Sequence, residues 1–351
     1  MVVSTPEPEG RDVADLAGPR RDPTTQLTGW RQFVEADPTA FELLSEQRWR
    51  SLGPADQELY DDARVLYHSE LQVVRTSAVR EIAHQGRLLT LLNQRESGAR
   101  RGLIVSGRQT TGKTTALKQL GRLHELRVHQ RSPGDDRIPV VYLTAPPKGS
   151  PRKLTIEFAR FLGLPSVSAR HNTIDITNVV CQVMIEARTD LVLVDEIHLM
   201  NHGTVAGEDL SDHLKYFTEH LPATFVYAGI DVEQSGVFTG VRGRQMGGRC
   251  VLVRTGPFAR NAEWRSLIAT MEDTLRLHRH QPKILVNLSD YLHKRTGGMI
   301  GSLSHLIRAA AISAILDGSE RITLDLLKNT RIDHNSESVS RSGTSSRRKA
   351  G

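Results

Sequence analysis

The chain has few of the features that mark secreted, membrane-bound or metal-stapled proteins. It holds two cysteines, Cys181 and Cys250, both in apolar segments and neither in a CxxC pair. That argues against a disulfide framework and a structural zinc site, and both thiols are expected to act as small core residues. The fourteen histidines are scattered, and the closest pair, His278 and His280, has no further ligand at metal-binding spacing. Aromatic residues make up only 5%. No apolar run approaches the roughly 20 residues that a membrane-spanning helix needs. The opening stretch, MVVSTPEPEGRDVADLAGPRRDP, has no hydrophobic segment fit for a signal peptide. A cytoplasmic chain with no membrane partner is the expectation. No internal repeat and no long linker is visible.

What is present is ordinary in amount and uneven in placement. The 351 residues suffice for two or three domains, and 38% hydrophobic with 25% charged content fits a water-exposed globular fold. The net charge of +6 and pI near 9.5 give a mild basic excess, consistent with nucleic-acid contact. Within 240–265 stand six arginines (242, 244, 249, 254, 260 and 265) against one acid, Glu263. The end of the chain adds Arg341, Arg347, Arg348 and Lys349.

Pattern divides the chain into five stretches. Residues 1–25, rich in Pro, Glu, Asp and Arg, read as a disordered tail. Residues 26–98 carry helical periodicity, with Gly53-Pro54 as a break and Thr76-Ser77 as an N-cap before Val79, Ile82, Leu88, Leu89 and Leu92. This is a helical N-terminal extension. Across 99–258 the character changes to short apolar runs: LIVSG (103–107), VVYLTA (140–145), LVLVDE (191–196), ATFVYAG (223–229) and CVLVRT (250–255). Helical patterns separate most of them. Unbroken apolar strands alternating with helices predict an α/β core with a five-stranded parallel sheet, covered on both faces. Residues 259–333 are helical again and read as a lid, with SLSHLIRAAAISAIL (302–316) its clearest element. Residues 334–351 form a basic, Ser/Arg/Gly-rich disordered tail.

The strongest chemical signal is GRQTTGKTT (107–115), which fits G-x-x-x-x-G-K-[ST] between an apolar strand and a helix. Gly107 and Gly112 let the backbone curl so that its N–H groups, with Thr111 and Thr115, face phosphate oxygens. Lys113 reaches the β- and γ-phosphates of ATP, and Thr114 is a ligand for Mg²⁺. The second signal is LVLVDEIHLM (191–200), a strand that ends in two acids at the sheet edge where nucleotides lie in open α/β folds. Asp195 is placed to hold the Mg²⁺ shell and Glu196 to polarise the attacking water. His198 reads as a residue at the start of a helix, placed to sense the nucleotide state.

Together these residues resemble the AAA+ ATPases over about 102–333. That resemblance implies a P-loop AAA+ fold that hydrolyses ATP with Mg²⁺. It also implies a polar sensor after the fourth strand, where this chain has Tyr227-Ala228-Gly229-Ile230-Asp231 and only Asp231 is a candidate. QMGGRCVLVRTGPF (245–258) is similar to the segment that carries an arginine finger directly before the fifth strand. The finger is then Arg249, acting with Glu196 in catalysis across a subunit boundary. Arg242 and Arg244 are alternative fingers or DNA contacts. The lid stretch TGGMIGSLSHL (296–306) lacks the second arginine sensor of many relatives, and Arg295 or Arg308 is left to compensate. A slow, switch-like ATPase fits this better than a fast motor.

A narrower resemblance comes from DDARVLYHSELQVVRTSAVREI (61–82), DEIHLM and the GxRGRQxGGRC segment, which are similar to the TniB/TnsC group of transposition ATPases. It implies a regulator that binds ATP, self-assembles on duplex DNA as a ring or filament, and directs a transposase, with or without a target-selection protein. The alternative is another bacterial AAA+ initiator, loader or protein-remodelling ATPase. An initiator calls for a winged-helix domain after the lid, and a STAND-type sensor for a long repeat domain; neither pattern is visible. A metabolic P-loop kinase is disfavoured by the Asp-Glu pair and the long helical lid.

Overall fold

The computed structural model describes residues 21–37, 40–164, 172–200 and 203–333. The expected tail residues 1–20 and 334–351, the latter with Arg341, Arg347, Arg348 and Lys349, lie outside the described residues.

The extension forms four helices: α1 (Leu27–Glu35), α2 (Glu46–Arg50), α3 (Pro54–Ser69) and α4 (Ser77–Asn93). Thr76 caps α4 by accepting the Val79 N–H, as the sequence predicts. Residues 21–25, assigned by composition to the tail, hold defined contacts. Arg21 pairs with Glu70, and the Pro23 carbonyl accepts the Gln26 N–H.

Five strands follow in the places that the apolar runs predict: β1 (Gly102–Gly107), β2 (Val140–Thr144), β3 (Leu191–Asp195), β4 (Thr224–Gly229) and β5 (Cys250–Thr255). All pairings are parallel, and the spatial order is β2-β3-β4-β1-β5. The intervening helices are α5 (Lys113–Arg131), α6 (Pro151–Phe161), α7 (Thr173–Glu186), α8 (Gly203–His220) and α9 (Gly240–Gly248). Strands covered on both faces have no solvent side, so their side chains are apolar without alternation. Leu191, Val192, Leu193 and Val194 of β3 are all fully buried. The lid comprises α10 (Ala262–Asp273), α11 (Ile284–Asn287), α12 (Ser289–Thr296), α13 (Ile300–Leu316) and α14 (Leu324–Asn329), around a second apolar core that includes Trp264, Leu303 and Ala310. No single described helix is long and apolar enough to cross a membrane; α12 and α13 qualify only as a pair, bent by 116°.

The helices of 26–98 do not pack as one unit. Trp30 and Val34 of α1, with Ile82 and Leu89 of α4, join the core of the sheet. The intervening α3 packs instead on α13 of the lid. There the fully buried Arg64 donates to both carboxylate oxygens of Glu320, at 2.7 and 2.8 Å, and to Asp61 at 2.5 Å. Removing one partner of such a pair strands a buried charge, which makes it a strong tie between extension and lid. Residues 71–76, between α3 and α4, therefore run from lid to core.

Trp30 also anchors α1 by donating its indole N–H to Glu125 of α5 at 2.6 Å. Burial pushes the Glu125 carboxyl up to about 7, against a smaller opposing pull from the Trp30 hydrogen bond. A raised carboxyl leaves stability intact below about 4.5 and withdraws it as pH rises through 7, by roughly 3 kcal/mol. Glu125→Gln accepts the same hydrogen bond without the charge. Thermal melting should therefore place it a few degrees above the parent at pH 8, with the gain gone at pH 4.5. An equal gap at both pH values would show that Glu125 is not buried as a titrating carboxyl.

Candidate functional site

The site forms at the carboxyl ends of β1, β3 and β4, three neighbouring strands. β1 ends at Gly107, where a Cβ would stand 2.3 Å from the Thr255 carbonyl oxygen, so the first turn of the loop has no room for a side chain. The loop then passes through Thr110 (φ +58°) and Gly112 (φ +87°), both left-handed, and delivers Lys113 as the first residue of α5. A non-glycine residue held at positive φ is a small reservoir of strain of the kind found at ligand clamps. The Lys113 ammonium donates to the Gly107 and Arg108 carbonyls at 2.8 and 2.7 Å, folded over the hollow of the loop. Burial lowers its pKa, and the charges of Glu196, Asp195 and Asp231 oppose that shift. Thr114 and Thr115 follow on the first turn, both partly buried. Thr111 serves the loop itself: its hydroxyl donates to the Arg108 carbonyl and shares a hydrogen bond with Thr255 of β5, each at 2.8 Å.

Asp195 closes β3, almost wholly buried. It accepts the Glu196 N–H at 2.9 Å and the Tyr142 hydroxyl of β2 at 3.1 Å. Burial, the Asp195 charge and this hydrogen bond hold the Tyr142 phenol well above its ordinary range, so it stays a donor that fixes the carboxylate. Glu196 is turned out of the strand by a left-handed backbone (φ +55°) and keeps a partly exposed side chain. His198 lies beside it, Nδ1 to Oε2 3.3 Å, on the short 3-10 turn Ile197–Met200.

Sequence reasoning missed the wall of the site opposite the acids. Beside Gly112 and Thr115 opens a cavity of about 140 Å³, lined by Val74, Val79, Ala116, Met271, Ile300 and Arg308 among others. One side comes from residues 71–76, another from the start of α13. Largely apolar walls next to a phosphate loop suit a flat aromatic base. The available signal was the short run Leu71-Gln72-Val73-Val74 directly before the Thr76 cap. The start of α13 also touches the loop, where the Gly301 N–H donates to the Thr110 carbonyl at 2.9 Å.

The predicted arginines scatter. Arg249 caps α9 with its side chain 3.6 Å from Glu219, and its carbonyl accepts the Gly102 N–H. Gly102 and Gly107 are the two ends of β1, so Arg249 lies at the other edge of the sheet, roughly 17 Å from the loop. It reaches no phosphate held by its own chain. Arg242 pairs with Asp212 at 2.5 Å, whereas Arg244 is exposed with no ion partner among the described residues. Arg254 pairs with Glu233 and Arg260 with Asp290. Of the lid arginines, Arg295 donates to the Thr330 carbonyl, and Arg308 donates to the His68 and Ser69 carbonyls at the rim of the cavity. Asp231 sits at φ +43° where its charge acts on Lys113.

Comparison with known proteins places this geometry. Residues 64–237 match the family model of the bacterial TniB protein. The fold is similar to that of the Aeropyrum pernix ORC2 protein in its ADPNP-ADP complexes, at 20% identity and TM-score 0.58 over 76% of this chain and 70% of that one. It is also similar to Drosophila ORC bound to DNA, at 13% identity and TM-score 0.54 over 85% and 70%. Cdc6p from Pyrobaculum aerophilum is similar at 15% identity and TM-score 0.52, over 74% and 67%. No curated protein matches the chain.

Proposed function

We propose that this AAA+ ATPase of the TniB family is an ATP-gated regulator that assembles on duplex DNA and directs a transposase, with or without a target-selection protein, to target DNA. The observation that carries this reading is the placement of the phosphate loop and Arg249 at opposite edges of one sheet. Copies stacked head to tail bring the Arg249 of one chain toward the γ-phosphate of the next, an interface of the kind that closes into rings or runs on as filaments. Hydrolysis and assembly then share one contact.

Magnesium fits the donor set. The Thr114 hydroxyl and the Asp195 carboxylate are hard oxygens, and no cluster of three or more acidic, His or Cys side chains forms a cage among the described residues. Mg²⁺ characteristically takes one or two such protein ligands and fills its shell with phosphate and water. When bound with ATP it neutralises charge developing on the β- and γ-oxygens. Asp195 is oriented for it by Tyr142, and Glu196 is left to take the proton from water.

DNA contact draws on the arginines of 240–265. Four of the six are in ion pairs, two of them, Arg242 and Arg260, on largely exposed partners. Exposed pairs are worth about 0–1 kcal/mol, so a DNA phosphate competes for these side chains at little cost. Fluorescence anisotropy on duplex DNA should show binding with a non-hydrolysable ATP analogue and little with ADP. Affinity should fall roughly 10³-fold between 50 and 200 mM salt for six or more phosphate contacts. Arg249→Ala should keep its ATP affinity and lose the nucleotide-dependent binding. Binding that ignores nucleotide and salt would remove the transposition reading, and no binding at all would favour a protein-remodelling ATPase.

A further inference from the structure

His198 stands between the acid that activates water and the end of the strand beside the phosphate loop. Its Nδ1 is 3.2 Å from the Ile230 nitrogen, whose N–H points at it, and 3.3 Å from Glu196 Oε2. The ring fits there because residue 229 is glycine: a Cβ would lie 2.8 Å from His198 Nδ1. Three residues along, the Val232 N–H donates to the Ser106 hydroxyl at 3.1 Å, and Ser106 directly precedes Gly107. Asp231, between them, is close enough for its charge to act on Lys113. The segment 229–232 is therefore tied to the end of β1, directly before the phosphate loop, on one side and to His198 on the other.

One ring nitrogen cannot serve both of its neighbours. With the proton on Nε2, Nδ1 is a lone pair and accepts from Ile230. With the proton on Nδ1, it donates to Glu196 Oε2 and the Ile230 N–H loses its acceptor. Only the second arrangement gives Glu196 a hydrogen bond that orients it, leaving Oε1 for water. A general base held by a third group is the arrangement that active nucleophile sites share. Without it, Glu196 stands on a left-handed backbone with its carboxylate unguided.

We propose that His198 is the positioning residue for Glu196, exchanging its Nδ1 bond between Ile230 and Glu196 so that the state of the phosphate loop sets the orientation of the base. This rests on the reading of Glu196 as the water-activating carboxylate. The exchange is a change of tautomer and hydrogen-bond partner and adds no chemical step. With Lys113 on the Gly107 and Arg108 carbonyls, the Ile230 bond holds the ring. Phosphates that draw Lys113 off the Gly107 and Arg108 carbonyls disturb β1 and segment 229–232 together, and Nδ1 passes to Glu196.

The test measures kcat, KM and ATP affinity for the wild type, His198→Ala, His198→Asn and Gly229→Ala, and crosses His198→Ala with Glu196→Gln. His198→Ala should lower kcat about 10- to 100-fold, short of the roughly 10²- to 10⁴-fold that loss of a general base itself costs, with KM and ATP affinity within twofold. His198→Asn should recover most of the loss, because its amide oxygen can take the Ile230 N–H and, flipped, its NH₂ can take Glu196. Gly229→Ala, which crowds the ring without touching the acids, should reproduce the Ala defect. In the Glu196→Gln background, His198→Ala should have no further effect. A His198→Ala enzyme within twofold of wild-type kcat, an Asn variant no better than Ala, or additive losses in the cross would each overturn the proposal. The reading beneath it fails separately, through a wild type that binds no ATP or a Glu196→Gln protein that turns over normally.

Discussion

Lys113→Ala is expected to weaken ATP binding by at least about 100-fold, or roughly 2.7 kcal/mol. The side chain is the one ammonium that the loop folds over itself, and its present partners are two backbone carbonyls of that loop. Exchanging neutral carbonyls for phosphate oxygens turns ordinary hydrogen bonds into charge-assisted ones, which are about twice as strong. Burial adds to the effect, because a charge pair in partly dry surroundings is screened less than one in water. Alanine at the first turn of α5 keeps the helix, so the loss is read as binding rather than unfolding. Calorimetric titration with ATP, beside a melting curve, checks both. An affinity within about threefold of the parent would remove the phosphate-loop assignment.

Glu196→Gln is expected to leave ATP affinity within about threefold and lower kcat by roughly 10²- to 10⁴-fold. The amide has the shape of the acid but cannot accept a proton from water. The backbone at φ +55° is no harder for Gln than for Glu, and the Asp195 bond to the Glu196 N–H survives the change. Such a protein should hold ATP without consuming it and stay in whatever assembly ATP favours. Single-turnover hydrolysis separates the chemical step from product release. A burst at the parent rate would pass the catalytic role to another group, and Asp231 is the remaining acid whose charge reaches Lys113.

Much of the architecture can be read from the chain because its strands are extreme cases. Five apolar runs without alternation admit few arrangements other than a doubly covered parallel sheet, and GRQTTGKTT has to follow one of them. Helix α9 was hidden by composition: GVRGRQMGG carries four glycines, each disfavoured in a helix interior. The pairing of Tyr142 with Asp195 depends on β2 lying beside β3, with Thr144 opposite Asp195, and strand order is not encoded in any local pattern. The ion pairs of the arginine cluster were hidden for a related reason. Its partners Asp212, Glu219, Glu233 and Asp290 lie 21 to 30 residues away, so a window of sequence shows charge where the fold shows pairs. The division of the extension between core and lid was equally hidden, because an amphipathic helix announces a buried face without naming what buries it.

That division bears on how the chain is made. Arg64 and Glu320 are 256 residues apart, and the face of α3 that meets α13 leaves the ribosome long before α13 exists. At about 5–20 residues per second, that interval is on the order of tens of seconds. The sheet can close in the meantime, since α1 and α4 bring their own contacts to it. Helix α3 lacks the partners of Arg64 and Tyr67 until residues 274–320 have been made. The lid and the cavity it walls are therefore completed after the sheet, so a nascent chain cannot present a finished nucleotide site before its lid is made.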